Sequence, residues 1–103
     1  MIKVSVLYPN QPGRKFDMDY YCNKHMKLVQ EKLGPACKSM AVEQGLGGGA
    51  PGAPATYAAM GHLYFDSVAA FETAFASHAA AIMADMPNYT NIQPVIQISE
   101  VKM

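Results

Sequence analysis

His25 is the side chain in this sequence best suited to acid–base chemistry, because its type and its position agree. An imidazole has an ordinary pKa near ~6.5, so a modest change of environment decides its charge at neutral pH. Helical spacing places His25 on the apolar side of a predicted helix, one turn after Tyr21, so the phenol and the imidazole could share a pocket. We therefore take His25 and Tyr21 as candidate catalytic residues. A hydrogen-bonded structural histidine is the competing interpretation of His25, as is simple packing of Tyr21.

Two further histidines and three aromatic residues are candidates for the lining of the same pocket. His62 shares one face of a predicted strand with Tyr64, and His78 lies on the inward side of a second predicted helix next to Phe75. Tyr8, at the end of the first predicted strand, could orient a carbonyl or hydroxyl group. For the two histidines, a hydrogen bond across the core or at a subunit interface is the alternative.

The spacing of the chemically active residues predicts neither a metal nor a tightly bound cofactor. The three histidines come from three separate elements, and no pair has the i, i+4 spacing of a helical metal motif. The sequence has no nucleophile elbow, dinucleotide-binding motif or paired-cysteine motif. Its two cysteines, Cys22 and Cys37, are too few for a disulfide framework, and we expect buried free thiols.

Length and composition predict one small domain, residues 1–103, that associates with a second subunit or binds a ligand. Half of the residues are hydrophobic and 16% are charged, which is more apolar surface than one small core hides, so we expect a subunit interface or a ligand cavity. Eight basic residues balance eight acidic ones, so no nucleic-acid partner is expected. Neither a signal peptide nor a membrane-spanning run is visible, and a cytoplasmic protein is the expectation.

The first part of the chain predicts a strand followed by a helix. Alternation over residues 2–8 predicts the strand. Asp17 is a suitable N-cap for the helix, and Gly34 with Pro35 should end it near Leu33. The expected buried side of this helix consists of Met18, Cys22, His25 and Val29, with Tyr21 and Leu28 beside them.

The middle of the chain predicts two strands joined by an exposed connection. Residues 36–44 alternate weakly and suggest an edge strand. Residues 45–54 are rich in glycine and proline, lack the Lys-Ser/Thr ending of a phosphate loop, and are expected to connect a hairpin. Apolar and aromatic residues occupy both the odd and the even positions of residues 56–65, which predicts a strand covered on both faces.

The last part predicts a second helix and a final strand. Asp66 or Ser67 can cap the helix, which should end near Met86. Its expected inward side repeats at steps of three and four: Val68, Phe71, Phe75, His78 and Ile82. Residues 92–101 predict the strand, with Pro94 suggesting an edge position or a bulge near its start.

Taken in order, these elements predict an α+β fold with a ferredoxin-like β-α-β-β-α-β layout. Such a fold carries both helices on one face of an antiparallel sheet and leaves the other face open. An apolar open face is most simply buried against the sheet of an identical chain. The expected assembly is a homodimer of the dimeric α/β-barrel type.

Residues 16–29, FDMDYYCNKHMKLV, resemble the EthD-like family of dimeric α/β-barrel proteins. The pattern F-D-x-x-Y-Y-x-x-x-H-x-x-L-V is fairly specific after a strand. Residues 7–9 (LYP) and 63–67 (LYFDS) are also similar to that family, so the resemblance spans nearly the whole chain. One departure is Lys27, which stands where relatives usually carry proline.

The resemblance implies a homodimer that takes part in the breakdown of small organic compounds. The family is named for ethyl tert-butyl ether degradation, and its members are often labelled reductases. More distant members of the superfamily include monooxygenases, polyketide cyclases and lactone isomerases that bind hydrophobic molecules between helices and sheet. We accordingly expect a small hydrophobic ligand in such a pocket and, if there is turnover, a metal-independent oxidoreductase or an isomerase- or cyclase-like enzyme. The alternatives are a binding or carrier protein of the same fold and a purely structural partner.

Overall fold

The sheet has four strands: β1 (Ile2–Pro9), β2 (Ser39–Gln44), β3 (Tyr57–Phe65) and β4 (Val95–Glu100). In the computed structural model, which describes residues 1–103, all neighbouring strands are antiparallel and their order is β2-β3-β1-β4. This is the strand order of a ferredoxin-like fold, so the predicted α+β layout is confirmed. The dimeric barrel stays a prediction.

The two-residue period of the central strands separates a helix-facing side from an open side. Val4 of β1 pairs with Leu63 of β3, and both side chains are buried beneath the helices. The next pair along the same two strands, Ser5 and His62, points to the other side of the sheet. Residues at odd and even positions of these strands therefore belong to different environments.

The first helix, α1, consists of an α-helical start (Met18–Tyr20), a π-helical turn (Tyr21–His25) and an α-helical part (Met26–Leu33). The Asp17 carboxylate accepts the Tyr20 backbone N–H at 3.0 Å, which is the predicted N-cap. Gly34 ends the helix with a φ of +60°, a left-handed value that glycine adopts without strain. Both predicted boundaries are confirmed.

The π-helical turn changes which side of α1 is buried. The Met26 backbone N–H bonds the carbonyl of Tyr21, five residues earlier, so the turn holds one residue more than an α-helical turn. That residue shifts the helical phase, and the prediction that Cys22 faces inward is wrong, because its side chain is exposed. Cys37 is half-buried. The buried side of α1 consists of Tyr21, His25, Met26, Val29 and Leu33.

The predicted second helix is divided into α2 (Val68–Ala76) and α3 (Ala79–Ala84). Ser67 caps α2 by accepting a backbone N–H at 3.1 Å. At the division, the His78 backbone N–H bonds the Phe75 carbonyl, three residues earlier, at 2.9 Å, and this tighter turn interrupts the helix. No helix of the fold is long and apolar enough to cross a bilayer.

The two edge strands are shorter than the sequence predicts. β2 begins at Ser39, because Gly34–Ala36 forms a short 3₁₀ turn before it. β4 begins at Val95, directly after Pro94, which has no N–H to add to the ladder. The exposed hydrophobic side chains of β4, at 51, 52 and 42%, are Val95, Ile96 and Ile98.

Candidate functional site

A cavity of about 80 Å³ lies between the helices and the helix-facing side of the sheet. Most of the residues that line it have apolar side chains. The polar side chains in its wall contact one another and form a single cluster: Tyr8, Tyr21, His25 and Tyr89. The cavity therefore has one polar end in an otherwise apolar surrounding, which is typical of small-molecule sites.

A line of hydrogen bonds runs through this polar end. The Tyr8 and Tyr89 hydroxyls lie 2.8 Å apart, and the Tyr89 hydroxyl lies 3.4 Å from His25 Nε2. On the other side of the ring, His25 Nδ1 lies 2.9 Å from Asp85 Oδ2. The other carboxylate oxygen, Asp85 Oδ1, accepts hydrogen bonds from the Tyr20 hydroxyl at 2.7 Å and from the Asn88 amide at 3.0 Å.

The charge of Asp85 sets the direction of every bond in this line. Burial opposes ionisation of Asp85, but the hydrogen bonds from Tyr20, Asn88 and His25 together outweigh it and lower its pKa. An ionised carboxylate only accepts, so His25 Nδ1 donates to it. In the neutral ring Nε2 is then an acceptor, Tyr89 donates to it, and Tyr8 donates to Tyr89.

Burial also keeps the His25 ring neutral. Desolvation lowers the pKa of His25 below its ordinary value, and the opposing effects of the Asp85 hydrogen bond and charge are smaller. Desolvation likewise raises the pKa values of Tyr8, Tyr21 and Tyr89, so the phenols keep their protons at neutral pH. The site combines a neutral imidazole, which can accept a proton at Nε2, with phenolic hydrogen-bond donors.

The π-helical turn is the local feature that brings two of these groups together. Tyr21 and His25 lie at its two ends, and both side chains are turned towards the sheet. Their rings are nearly parallel, with centroids 5.6 Å apart and an angle of 14° between the planes. π-helical turns occur frequently at functional sites, where they displace a side chain from its α-helical position.

Four of the sequence-predicted site residues lie together at the cavity. Tyr8, Tyr21, His25 and Phe75 all contribute to its lining. The remaining three do not. His78 lies at the division between α2 and α3, while His62 and Tyr64 point to the open side of the sheet, because Gly61 and Leu63 occupy the helix-facing positions of β3.

On the open side, His62 belongs to a separate polar group. Its Nδ1 lies 3.0 Å from Ser5 Oγ, and its Nε2 lies 2.7 Å from Glu43 Oε1. Ser5 and His62 are nearly buried even in the single chain. No group of three His, Cys, Asp or Glu side chains is arranged to hold a metal ion.

Sequence reasoning missed Asp85 and Tyr89, the two residues that determine the state of His25. From the sequence, Tyr89 is one of six tyrosines whose phenols could orient a carbonyl or hydroxyl group, and nothing sets it apart from the others. Asp85 has no predicted role. One signal was present: an acidic residue in the last turn of a helix meets the negative end of the helix dipole and needs a compensating partner. That signal could have singled out Asp85, although not its partner.

Comparison with known proteins gives a consistent family relationship. The EthD domain model matches residues 13–93. An EthD-like protein from Ralstonia eutropha JMP134 has 48% sequence identity to the chain, with 99% of this chain and 92% of that chain aligned and a TM-score of 0.95. No curated protein matches the sequence.

More distant structures share the fold alone. An ethyl tert-butyl ether degradation (EthD) family protein from Bacillus halodurans C-125 is 21% identical, covers 99% of both chains and has a TM-score of 0.68. HapK from Hahella chejuensis is 14% identical, with 99% of this chain and 93% of that chain aligned and a TM-score of 0.60.

Proposed function

The chain belongs to the EthD domain family, and from this premise we propose that it binds a small, largely apolar organic molecule in the cavity and transfers a proton on it. The observation that carries the proposal is the state of His25. Its ring is buried and neutral at the wall of the cavity, Nδ1 is held by Asp85 at 2.9 Å, and the Tyr89 hydroxyl is 3.4 Å from Nε2. A neutral imidazole with one nitrogen held by a carboxylate and the other in a single long hydrogen bond, which a bound molecule can replace, is suited to act as a general base.

In the proposed step, His25 Nε2 removes a proton from the bound molecule. The bond to that proton breaks, its electron pair stays on the molecule, and the imidazole becomes a cation next to the Asp85 carboxylate. A phenolic hydroxyl of the cluster donates a hydrogen bond to the oxygen on which negative charge develops. Return of the proton to a different atom completes an isomerisation. Each step of this proton transfer uses side chains of the cluster and requires no metal.

A role in the degradation of small hydrophobic compounds is the finer part of the proposal. The Bacillus halodurans structure is named after ethyl tert-butyl ether degradation, which supports an ether as one substrate class. If the reaction of this chain is an oxidation or a reduction, an electron carrier must take part, and His25 supplies the accompanying proton transfer.

We also propose that the chain acts as a homodimer. The apolar side chains of β4 are half exposed, although strands of this composition are normally covered. Ile96 lies at the cavity together with Met83, which is 43% exposed, so these two residues form part of its mouth. A second copy that covers β4 would therefore also restrict access to the cavity.

A binding protein without turnover is the second candidate. It is favoured by the hydrogen bonds within the site, because Tyr8, Tyr89, His25 and Asp85 satisfy one another. Such a satisfied cluster can serve as a rigid wall for an apolar molecule. Only a measurement of proton transfer separates the two candidates.

The experiment is a screen of small ketones, aldehydes, alcohols and ethers by NMR, with binding and carbon–hydrogen exchange in deuterium oxide followed together. We expect His25→Gln to retain binding and to lose exchange by roughly 10²-fold or more, the usual scale for a positioned base. His78→Gln is the matched control, since His78 lies outside the cavity. Binding without exchange in the wild type would establish the second candidate, and undiminished exchange in His25→Gln would refute the role of His25.

A further inference from the structure

Gly61 lies in the middle of β3, directly opposite the Tyr21 hydroxyl. A methyl group at this position would overlap the hydroxyl oxygen and come within 3.3 Å of the ring carbon that carries it. The backbone of Gly61 pairs with Val6 on one side and Val42 on the other, so it is an ordinary ladder residue. Its φ is not positive, and no turn or bulge requires glycine here.

A glycine inside a strand weakens the strand and often marks the close approach of another group. Here the approaching group is the oxygen of Tyr21. The missing side chain of Gly61 is therefore the space in which the Tyr21 hydroxyl lies. Any larger residue would push the phenol away from the wall of the cavity.

The Tyr21 hydroxyl stands at the start of the hydrogen-bonded line and directs its proton to Tyr8. Tyr8 donates to Tyr89, Tyr89 donates to His25, and His25 donates to Asp85. The Tyr21 side chain lines the same cavity and is 2% exposed. Because Tyr21 is the first donor of the line, its proton can turn to another acceptor without breaking the other three bonds. Its proton is thus the one that the cluster can offer to a ligand.

The rest of the lining limits what the ligand can be. Beyond the polar end the wall is hydrocarbon, with Leu63, Phe71 and Ile82 among its members. The volume of about 80 Å³ is well below the roughly 150 Å³ of an engineered apolar cavity that holds benzene. The flexible side chains of Met83 and Met86 can enlarge the space modestly. A ligand with one acceptor oxygen and a short hydrocarbon part matches these limits.

We propose that Gly61 and Tyr21 form an oxygen-recognition subsite, in which Tyr21 donates a hydrogen bond to the carbonyl oxygen of a small ketone or aldehyde and Gly61 is the positioning residue that makes room for it. The inference rests on the proposed function, because His25 is the base that acts on the molecule so held. His25 removes the proton from the carbon next to the carbonyl, the C–H electron pair forms the enolate, and the Tyr21 hydrogen bond stabilises the enolate oxygen. The proton then returns to carbon or to oxygen.

The first test compares two ligands of equal shape, butanone and 2-methyl-1-butene, in which a CH₂ group replaces the carbonyl oxygen. Tyr21→Phe should weaken butanone binding about two- to tenfold, the size of one neutral hydrogen bond, and leave the alkene unchanged. Gly61→Ala should show the same selective loss. Gly49→Ala is the control, because a methyl group there meets open space.

The second test is thermal unfolding, which separates positioning from general packing. Gly61→Ala should lower the midpoint, and Tyr21→Phe in the same chain should restore much of it, since the overlapping oxygen is then gone. If Tyr21→Phe does not raise the unfolding midpoint of Gly61→Ala, the role of Gly61 is not to make room for the Tyr21 hydroxyl.

The binding outcomes distinguish failure of the Tyr21 subsite from failure of the proposed function. A wild-type chain that binds both compounds, with butanone affinity independent of Tyr21, overturns this inference and leaves the proposed function standing. A wild-type chain that binds neither these compounds nor any member of the wider screen overturns both.

Discussion

His25 Nδ1 lies 2.9 Å from Asp85 Oδ2, and this pair joins α1 to the C-terminal end of α3 across 60 positions of sequence. The contact fixes the tautomer of the imidazole and leaves Nε2 to the Tyr89 hydroxyl. Asp85 is itself held by Tyr20 and Asn88. The proposed base and the group that orients it are thus supplied by two different parts of the chain.

Replacing Asp85 by Asn should leave the fold intact and disturb the tautomer of His25. The amide is neutral and can present either a donor or an acceptor to Nδ1, so the preference for a proton on Nδ1 is weakened. We expect turnover to fall by at least roughly 10²-fold, with ligand affinity little changed. The tautomer can be observed without a substrate by ¹⁵N NMR of the ring. Asp66→Asn is the control, because that exposed carboxylate only approaches Lys38 at 3.7 Å; unchanged ring signals in Asp85→Asn would contradict the prediction.

The stability of the protein should depend on pH through His25. The folded-state pKa of His25 is lowered by burial, so the folded chain binds this proton less readily than the unfolded chain. The contribution of the neutral ring is fully present above the ordinary value near ~6.5 and is lost as the pH falls through the lowered folded-state pKa. Urea unfolding between about pH 8 and pH 5 should show a decrease that is smaller in His25→Gln. A slope in His25→Gln equal to that of the wild type would refute the assignment.

The loss of activity at low pH should follow protonation of His25. In the proposed reaction His25 is a base in its neutral form, so kcat/KM should fall as the pH drops below an apparent pKa that lies under ~6.5. The phenols do not titrate in this range, because burial raises the pKa values of Tyr8, Tyr21 and Tyr89. A loss of activity centred above the ordinary histidine value would point to a different base.

The proposed homodimer can be tested on β4. The wild type should sediment as a dimer at micromolar concentration, and a charge placed on the exposed apolar surface, as in Val95→Glu or Ile98→Glu, should shift it to monomer. Glu100→Gln, an exposed substitution on the same strand, should have no effect. A wild-type monomer at high concentration would end the dimer proposal.

Thiol labelling tests the phase of the first helix. Cys22 is exposed, whereas Cys37 is half-buried and burial raises the pKa of its thiol. A disulfide reagent should therefore react with Cys22 first, and Cys22→Ser should remove the fast reaction. Faster labelling of Cys37 would mean that α1 has no π-helical turn.

Much of the fold follows from short stretches of sequence, since each signal acts on its neighbours. Asp17 begins α1 and Gly34 ends it because capping and a left-handed backbone are local properties. Alternation in residues 2–8 predicts β1 because the pleat alone decides which side chains share a face. The order of such elements then leaves few topologies, and the ferredoxin-like one is observed.

The sequence by itself determined the elements, their order and the apolar position of His25 on the first helix. The tertiary structure decided what surrounds that residue. Asp85 and Tyr89 reach His25 from 60 and 64 positions away, and contacts at that separation arise from packing, for which no local pattern exists. His62 lies away from the cavity because the odd-numbered residues of β3, not the even-numbered ones, face the helices. Gly61 makes room for the Tyr21 hydroxyl on the helix-facing side, so His62, the next residue, points to the open side.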